Sequence, residues 1–231
     1  MIKWLRTGKK KPFKFQTDAW QLYAEGYSGL VNAPTGFGKT FSMFLAVIIA
    51  ELNNRQMQTK EPRKKSPQAL PVKRKSKEQG IRLLWITPLR SLAKDLARAM
   101  TEVCTELDLD WHVGVRNGDT PQSEKLKQKK QMPEVLIITP ESIHLLLAQK
   151  NTSGYFDDLQ CIVADEWHEL LGSKRGVMAE LAISRIRGLL LDKFPERLLR
   201  IWGISATIGN MEQALEVLVP YPEVLKNNHR R

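Results

Sequence analysis

Cysteine, long apolar runs and any secretory pattern are scarce in this sequence, and each shortage excludes something. Only Cys104 and Cys161 occur, each among apolar neighbours. Two isolated cysteines exclude a disulfide framework and a cysteine-rich metal site, and they suit a reducing compartment. The longest uninterrupted apolar run, Met43 to Ala50, is too short to span a bilayer. Met1-Ile2-Lys3-Trp4-Leu5-Arg6 holds no apolar core of a signal peptide. A cytoplasmic protein with no membrane partner is expected. The 231 residues and 42% hydrophobic content suit one globular domain, or one and a half.

Acidic residues are short in two places. Residues 1–17 hold six bases and no acid, and residues 55–79 hold nine bases against two acids. Together these segments carry more than the whole net charge of +11, so the rest of the chain is slightly acidic. Nucleic-acid phosphate is one partner for such segments and bulk solvent is the other. The prolines at 62, 67 and 71 and the charge density predict low order in 55–79. Residues 1–12 read as a basic N-terminal segment, 13–219 as one domain carrying a basic insert at 55–80, and 220–231 as a linker stub.

Within that domain, short apolar strands alternate with amphipathic helices, which predicts an α/β fold with a mostly parallel sheet and helices on both faces. Strands are expected at Leu30–Asn32, Leu83–Thr87, Trp111–Val115, Val135–Thr139, Cys161–Ala164 and Arg200–Ile204. Helices are expected at Asp18–Glu25, Phe41–Leu52, Leu89–Leu107, Glu141–Ala148, Val177–Leu191 and Met211–Val219. Spacings of three and four place Leu89, Leu92, Leu96, Met100, Val103 and Leu107 on one stripe, and Leu181, Ile186, Leu189 and Leu190 on another.

The strongest chemical signal is Ala33-Pro34-Thr35-Gly36-Phe37-Gly38-Lys39-Thr40, set between a strand and a helix. It reads as a phosphate-binding loop, with Ala33 where the strict pattern has its first glycine. Small residues let successive N–H groups converge on phosphate oxygens. Lys39 reaches the β/γ-phosphates of ATP, and the Thr40 hydroxyl ligates Mg²⁺. A second signal is the strand Cys161–Ala164 running into Asp165-Glu166-Trp167-His168. Asp165 is placed to hold Mg²⁺, and Glu166 to orient the water that attacks the γ-phosphate. His168 and the Ser205-Ala206-Thr207 segment after the last strand are natural partners, two hydroxyls facing an imidazole.

Two further segments share the form strand, Thr-Pro, helix: Thr87-Pro88-Leu89-Arg90 and Thr139-Pro140-Glu141-Ser142. Helix starts of this kind present backbone N–H groups to anions, and both also read as plain caps with proline at the first helical position. Arg116-Asn117-Gly118-Asp119-Thr120 is a turn by composition. A single nucleic-acid strand is expected to cross Pro88, Arg90, Arg116, Gly118, Asp119, Thr139, Pro140, Glu141 and Ser142.

The set of motifs, in this order and spacing, resembles the first motor domain of superfamily 2 DEXH-box helicases. Ala33–Thr40 is similar to motif I, Thr87–Asp95 to motif Ia, Thr139–Ser142 to Ib, Asp165–His168 to the DEXH box and Ser205–Thr207 to motif III. The runs Leu89–Asp95, Arg116–Thr120 and Asp165–Gly176, with Phe15-Gln16, narrow this to the ligase-associated, large-helicase-related (Lhr-like) branch. Asn117 departs from the threonine of that pattern. The resemblance implies a RecA-like P-loop NTPase fold and an ATP-dependent 3′-to-5′ DNA translocase linked to repair. It also implies that Gln16 reads the adenine edge beside Phe13, that Thr35, Gly36, Phe37 and Gly38 complete the nucleotide loop, and that Ser205 and Thr207 couple the two sites. Single-stranded or forked DNA is the implied partner, alongside a repair nuclease or ligase; RNA stays open, because phosphate contacts do not distinguish the two.

No Gln-x-x-Gly-Arg-x-x-Arg segment follows Thr207. The family's second RecA-like domain, its arginine fingers and its accessory domains are therefore expected elsewhere, and this chain alone is expected to hydrolyse ATP very slowly and unwind nothing. A small P-loop kinase is the rival enzyme class, and Asp-Glu-x-His followed by Ser-Ala-Thr argues against it. A non-catalytic nucleic-acid-binding P-loop module is the rival binding class, and the intact Lys39, Asp165 and Glu166 argue against that.

Overall fold

A computed structural model describes residues 11–60, 80–150 and 152–219. Residues 1–10 of the basic N-terminal segment, most of the basic insert (61–79) and the stub at 220–231 lie outside the described residues. Among the described residues, six strands form one parallel sheet: β1 (Gly29–Asn32), β2 (Leu83–Ile86), β3 (Val113–Arg116), β4 (Val135–Ile138), β5 (Cys161–Ala164) and β6 (Arg200–Ser205). Their spatial order is β1-β6-β5-β2-β4-β3. The helices are α1 (Lys14–Ala24), α2 (Lys39–Lys60), α3 (Arg90–Glu106), α4 (Gln122–Lys130), α5 (Pro140–Leu147), α6 (Trp167–Leu170), α7 (Lys174–Lys193) and α8 (Met211–Leu218), with a 3-10 turn at Ser153–Phe156.

Successive side chains of a strand point to opposite faces, and here both faces are covered. Leu83 and Trp85 of β2 pack with α1, α2 and α3, through Tyr23, Phe44, Val47, Met100 and Val103. Leu84 and Ile86 face the other core, with Ile143 and Leu146 of α5, Ile186 of α7 and Leu218 of α8. Near-continuous apolar strands follow from that burial on both sides, and β2, β4 and β5 are buried throughout. Gly203 of β6 admits the close approach of α8 and β1: a Cβ there would lie 2.5 Å from Leu30 Cδ1 and 2.8 Å from Leu218 Cδ2. No helix among the described residues is long and apolar enough to cross a membrane. Cys104 and Cys161 are free and buried, and burial pushes the Cys104 thiol up to about 11.

The structure departs from the sequence-based expectations at several edges. α1 begins at Lys14, four residues early, which brings Phe13 and Gln16 to its first turn. α2 continues to Lys60, so the first residues assigned to the insert, 55–60, extend a helix. β3 starts at Val113 and ends at Arg116, with Trp111 buried ahead of it. α4 and α6 were not anticipated. α4 has almost no apolar periodicity to find, because its one buried residue is the polar Gln128. α6 is a single turn pinned by buried Trp167 and Leu170. The two expected stripes hold only in part: Met100, Val103, Ile186 and Leu190 are buried. Leu89 and Leu92 are exposed and Ala93 takes the core position in α3, while Leu181 of α7 is 59% exposed and Ala179, Ala182 and Ile183 are buried instead. Small residues carry those helix faces because the helices pack close, and periodicity in large apolar residues does not register them.

Candidate nucleotide and nucleic-acid site

β6 lies between β1 and β5, so the ends of these three strands bring the phosphate loop, Ser205 and Asp165-Glu166 side by side. β1 and β5 are two strand spacings apart, roughly 10 Å. The loop after β1 turns through Gly36 (φ +85°) and Gly38 (φ +76°), values that L side chains rarely adopt. Its ammonium donor, Lys39, is 8% exposed and opens α2. Thr35, Gly36 and Phe37 are exposed and Thr40 is half-buried.

Gln16 joins α1 to this loop. Its Nε2 donates to the Gly38 carbonyl at 3.0 Å, and its Oε1 accepts from the Phe13 N–H at 3.0 Å. Each end of the amide keeps capacity for one further hydrogen bond. Phe13 stacks against Phe15 at 5.8 Å and tilts against Phe37 of the loop at 5.4 Å. Phe13 and Phe37 nevertheless remain 48% and 46% exposed, a half-covered aromatic pair beside the loop.

Asp165 is buried, its Oδ2 accepting from Trp85 Nε1 at 3.1 Å and its Oδ1 from the Glu166 N–H at 3.0 Å. Burial pushes its pKa up to about 6; the Trp85 hydrogen bond and nearby Lys39 pull against that, and the Glu166 charge adds to it. Trp85 is thus a supporting residue that motif reading missed; its only sequence signal is an aromatic donor two residues before Thr87. Glu166 takes a left-handed backbone, φ 46° and ψ 49°, uncommon and costly for a non-glycine residue. Its Oε2 is buried without a hydrogen-bond partner. His168 Nδ1 lies 3.5 Å from it and is engaged with Ser205 Oγ at 2.9 Å. His168 Nε2 faces Glu169 Oε1 at 3.6 Å. His168 Nδ1 thus stands between the two groups, hydrogen-bonded to Ser205 and in reach of the Glu166 carboxylate.

Asn32 holds the segment after β6 in place. With its amide nitrogen assigned to the side that faces them, it donates to the carbonyls of Ser205 and Ala206, each at 3.2 Å, and the Ala33 N–H donates to the Ser205 carbonyl at 3.1 Å. These bonds tie the Ser205–Ala206 backbone directly to the start of the phosphate loop. A half-buried carboxylate on a strained backbone with one bare oxygen, a buried carboxylate whose pKa is raised to about 6, and a buried lysine form a donor set that fits a polyphosphate with its divalent cation.

The expected strand path is only partly as read. Thr139 caps α5 with Pro140 in its first turn, as the sequence suggests. α3 instead starts two residues after Pro88, with Leu89 as its cap, because the Thr87 hydroxyl accepts the Leu89 N–H at 3.3 Å and holds that turn open. The first residue of α3 is therefore Arg90, and Arg90 is exposed. Its guanidinium lies over Gly118, where an added Cβ would come 2.9 Å from Nη1. Asn117 orders the turn by accepting from the Asp119 N–H at 2.9 Å and Thr120 Oγ1 at 3.2 Å.

Most of the expected path is turned inward: Pro88, Arg116, Thr139, Pro140 and Ser142 are buried, and Glu141 is half-buried and already paired. Arg116 is 4% exposed, with Nη1 donating to Gln128 Oε1 at 3.2 Å. Glu141 forms a two-pronged pair with Arg175 of α7, at 2.6 and 3.3 Å. Burial alone raises the Glu141 pKa; the Arg175 guanidinium outweighs it and holds the carboxyl below its usual value. Thr139 is 1% exposed and its hydroxyl donates to Ser142 Oγ at 3.1 Å. Glu141 and Thr139 act in the structure as fastenings of α5, because each side chain already has its partner.

Residues 13–214 match the DEAD/DEAH box helicase family model. An ATP-dependent helicase Lhr-Core of Saccharolobus solfataricus is 32% identical over 95% of this chain and 23% of its own length. The Lhr helicase/uracil glycosylase of Escherichia coli is 29% identical over 89% of this chain and 13% of its own. The structure of Mycobacterium smegmatis helicase Lhr bound to ssDNA and AMP-PNP superposes with a TM-score of 0.72 and 31% identity, over 94% of this chain and 25% of that one. The chain thus spans a quarter or less of these relatives. The sheet is of the RecA-like helicase type, and the chain belongs to the DEAD/DEAH box helicase family.

Proposed function

We propose that this chain is the ATP-binding first motor domain of an ATP-dependent DNA helicase of the Lhr type, a 3′-to-5′ translocase linked to DNA repair in the cytoplasm. The observation that carries the reading is the meeting of Lys39, Asp165, Glu166 and the His168–Ser205 pair at adjacent strand ends. Lys39 and the N–H groups of the loop bind the β- and γ-phosphates. Asp165 and Thr40 are the residues that would hold Mg²⁺, which when bound neutralises charge building on the phosphate oxygens. Glu166, with Oε2 free of other hydrogen bonds, accepts from the attacking water and aligns it. Gln16 and Phe13 frame the adenine.

His168 senses whether Glu166 is engaged and passes this to Ser205, and through Asn32 the same segment touches the nucleotide loop. On the neighbouring strand ends, Arg90, Gly118 and the start of α5 face a single strand of nucleic acid. DNA is favoured over RNA by the ssDNA-bound Lhr relative. A second RecA-like domain and accessory domains, carried in the longer relatives' additional length, would close the site from the opposite side. A nuclease or ligase working on the same lesion is the expected functional neighbour.

The test is a pair of substitutions in the full-length protein. Lys39→Ala is expected to weaken binding of labelled ATP at least tenfold, since it removes a charge-assisted phosphate contact. Glu166→Gln is expected to retain ATP affinity and lower DNA-stimulated turnover by 10² or more. Wild-type turnover in Glu166→Gln contradicts the assignment.

A further inference from the structure

A second site flanks the strand path. At the end of β3 a cavity of about 300 Å³ is lined by Arg116, Asn117, Gly118, Lys125, Lys129 and Ser142, among others. Three of these six are cations, and no carboxylate lines the cavity. Arg116 forms its floor. Its guanidinium is almost wholly buried, yet among the described residues no acid lies within ion-pair distance of it. Its ties are to uncharged oxygens, Gln128 Oε1 at 3.2 Å and the Lys125 carbonyl at 3.5 Å. Gln128 is itself fixed by donating to the Val115 carbonyl at 3.0 Å, so the guanidinium is held in one orientation.

A buried cation without a counter-charge is costly, and a structure that keeps one has a use for an anion there. The walls agree. Lys125 and Lys129 stand four residues apart on α4, hence on one face of that helix, and like charges so placed repel. An anion between them and Arg116 removes both penalties at once. The cavity has room for a phosphodiester group with part of its attached sugar, and Ser142 adds a hydroxyl from α5.

Position selects among anions. Gly118 belongs both to the cavity wall and to the turn over which Arg90 lies, so the cavity opens beside the expected path of the strand. We propose that Arg116, Lys125 and Lys129 form a dedicated pocket for one backbone phosphate of the bound strand, so that α4, outside every motif, belongs to the nucleic-acid interface. This rests on the nucleic-acid reading above. It also gives Arg116 a role different from a surface contact, as the buried floor of a pocket into which the phosphate turns.

The test uses oligo-dT binding to this chain across a salt series, with Lys125→Ala/Lys129→Ala as the main variant. Lys127→Ala, on the same helix but outside the cavity, sets the effect of losing an ordinary surface charge. The double variant is expected to weaken binding roughly tenfold, the worth of one charge-assisted contact. Its log–log salt slope should be shallower by about 0.7, one phosphate on a single strand. A double variant no weaker per charge than Lys127→Ala overturns the pocket. Arg90→Ala separates that failure from a wider one. If Arg90→Ala still weakens binding, the path stands and only the pocket falls; if it too has no effect, the strand path itself is wrong. Inorganic phosphate, followed by ³¹P line broadening, gives the other arm. Broadening that needs Lys125 and Lys129, together with unchanged oligo-dT affinity in the double variant, would make this a site for free phosphate and overturn the assignment to the strand.

Discussion

Replacing Asp165 by asparagine is expected to stabilise the fold at neutral pH while removing its nucleotide chemistry. The magnitude follows from the surroundings of the carboxyl. Burial lifts its pKa from 3.8 to about 6. A folded-state pKa raised above the unfolded value means that the native state binds the proton more tightly. The contribution to stability is therefore fully present below about pH 4 and is lost as pH rises through about 6. At pH 7 the charged native form is disfavoured by about 3 kcal/mol, an order-of-magnitude figure for a group this buried. Asparagine removes that penalty. It also loses one of two hydrogen bonds, since its single oxygen cannot accept from both Trp85 Nε1 and the Glu166 N–H, at a cost of about 1 kcal/mol. The net at pH 7 is a gain of about 1–2 kcal/mol, or roughly 2–8 °C in Tm for a domain of this size. At pH 4 only the hydrogen-bond loss remains, so the variant should be less stable than the parent by about 1 kcal/mol. Urea denaturation of both proteins from pH 4 to 8, in EDTA, measures this directly. The sign of the difference should change between pH 4 and 6. A difference that is flat across that range, or a variant less stable than the parent at pH 7, refutes the reasoning. Adding Mg-ATP should then stabilise the parent more than the variant, by mass action.

Two other substitutions test neighbouring parts. Gly176→Ala should lower stability by more than about 2 kcal/mol in thermal unfolding, because its Cβ would lie 1.9 Å from the Leu170 carbonyl oxygen where α6 turns into α7. A cost below 0.5 kcal/mol would show that this corner yields easily. His168→Ala should leave ATP affinity near the parent value and lower stimulation of the full-length ATPase by DNA roughly tenfold or more, since it removes the link from Glu166 to Ser205. Retained stimulation in a steady-state assay rules out the coupling.

Much of the site could be read from residue order, for a physical reason. A phosphate loop needs glycines with positive φ, a lysine and a hydroxyl within a few residues, and a parallel strand needs an apolar run; both are local demands. Lys39, Asp165, Glu166 and the six strands therefore stood out in the chain. The interior of each helix was less visible where small or polar residues do the packing, as with Ala179 and Ala182 in α7 and Gln128 in α4. The direction of a charged side chain was not visible at all. Arg90 and Arg116 look alike in sequence, each beside a turn after a strand, yet one is exposed and the other forms the floor of a cavity. Glu141 meets Arg175 across 34 positions, and Trp85 meets Asp165 across 80. Such pairings depend on which strands become neighbours. The order β1-β6-β5-β2-β4-β3 is set by packing two apolar faces at once. The sequence by itself determined the chemistry available to this protein, and the tertiary structure decided which groups face ligand and which fasten the fold, because burial and partners at long range, not residue type, determine where a charge can point.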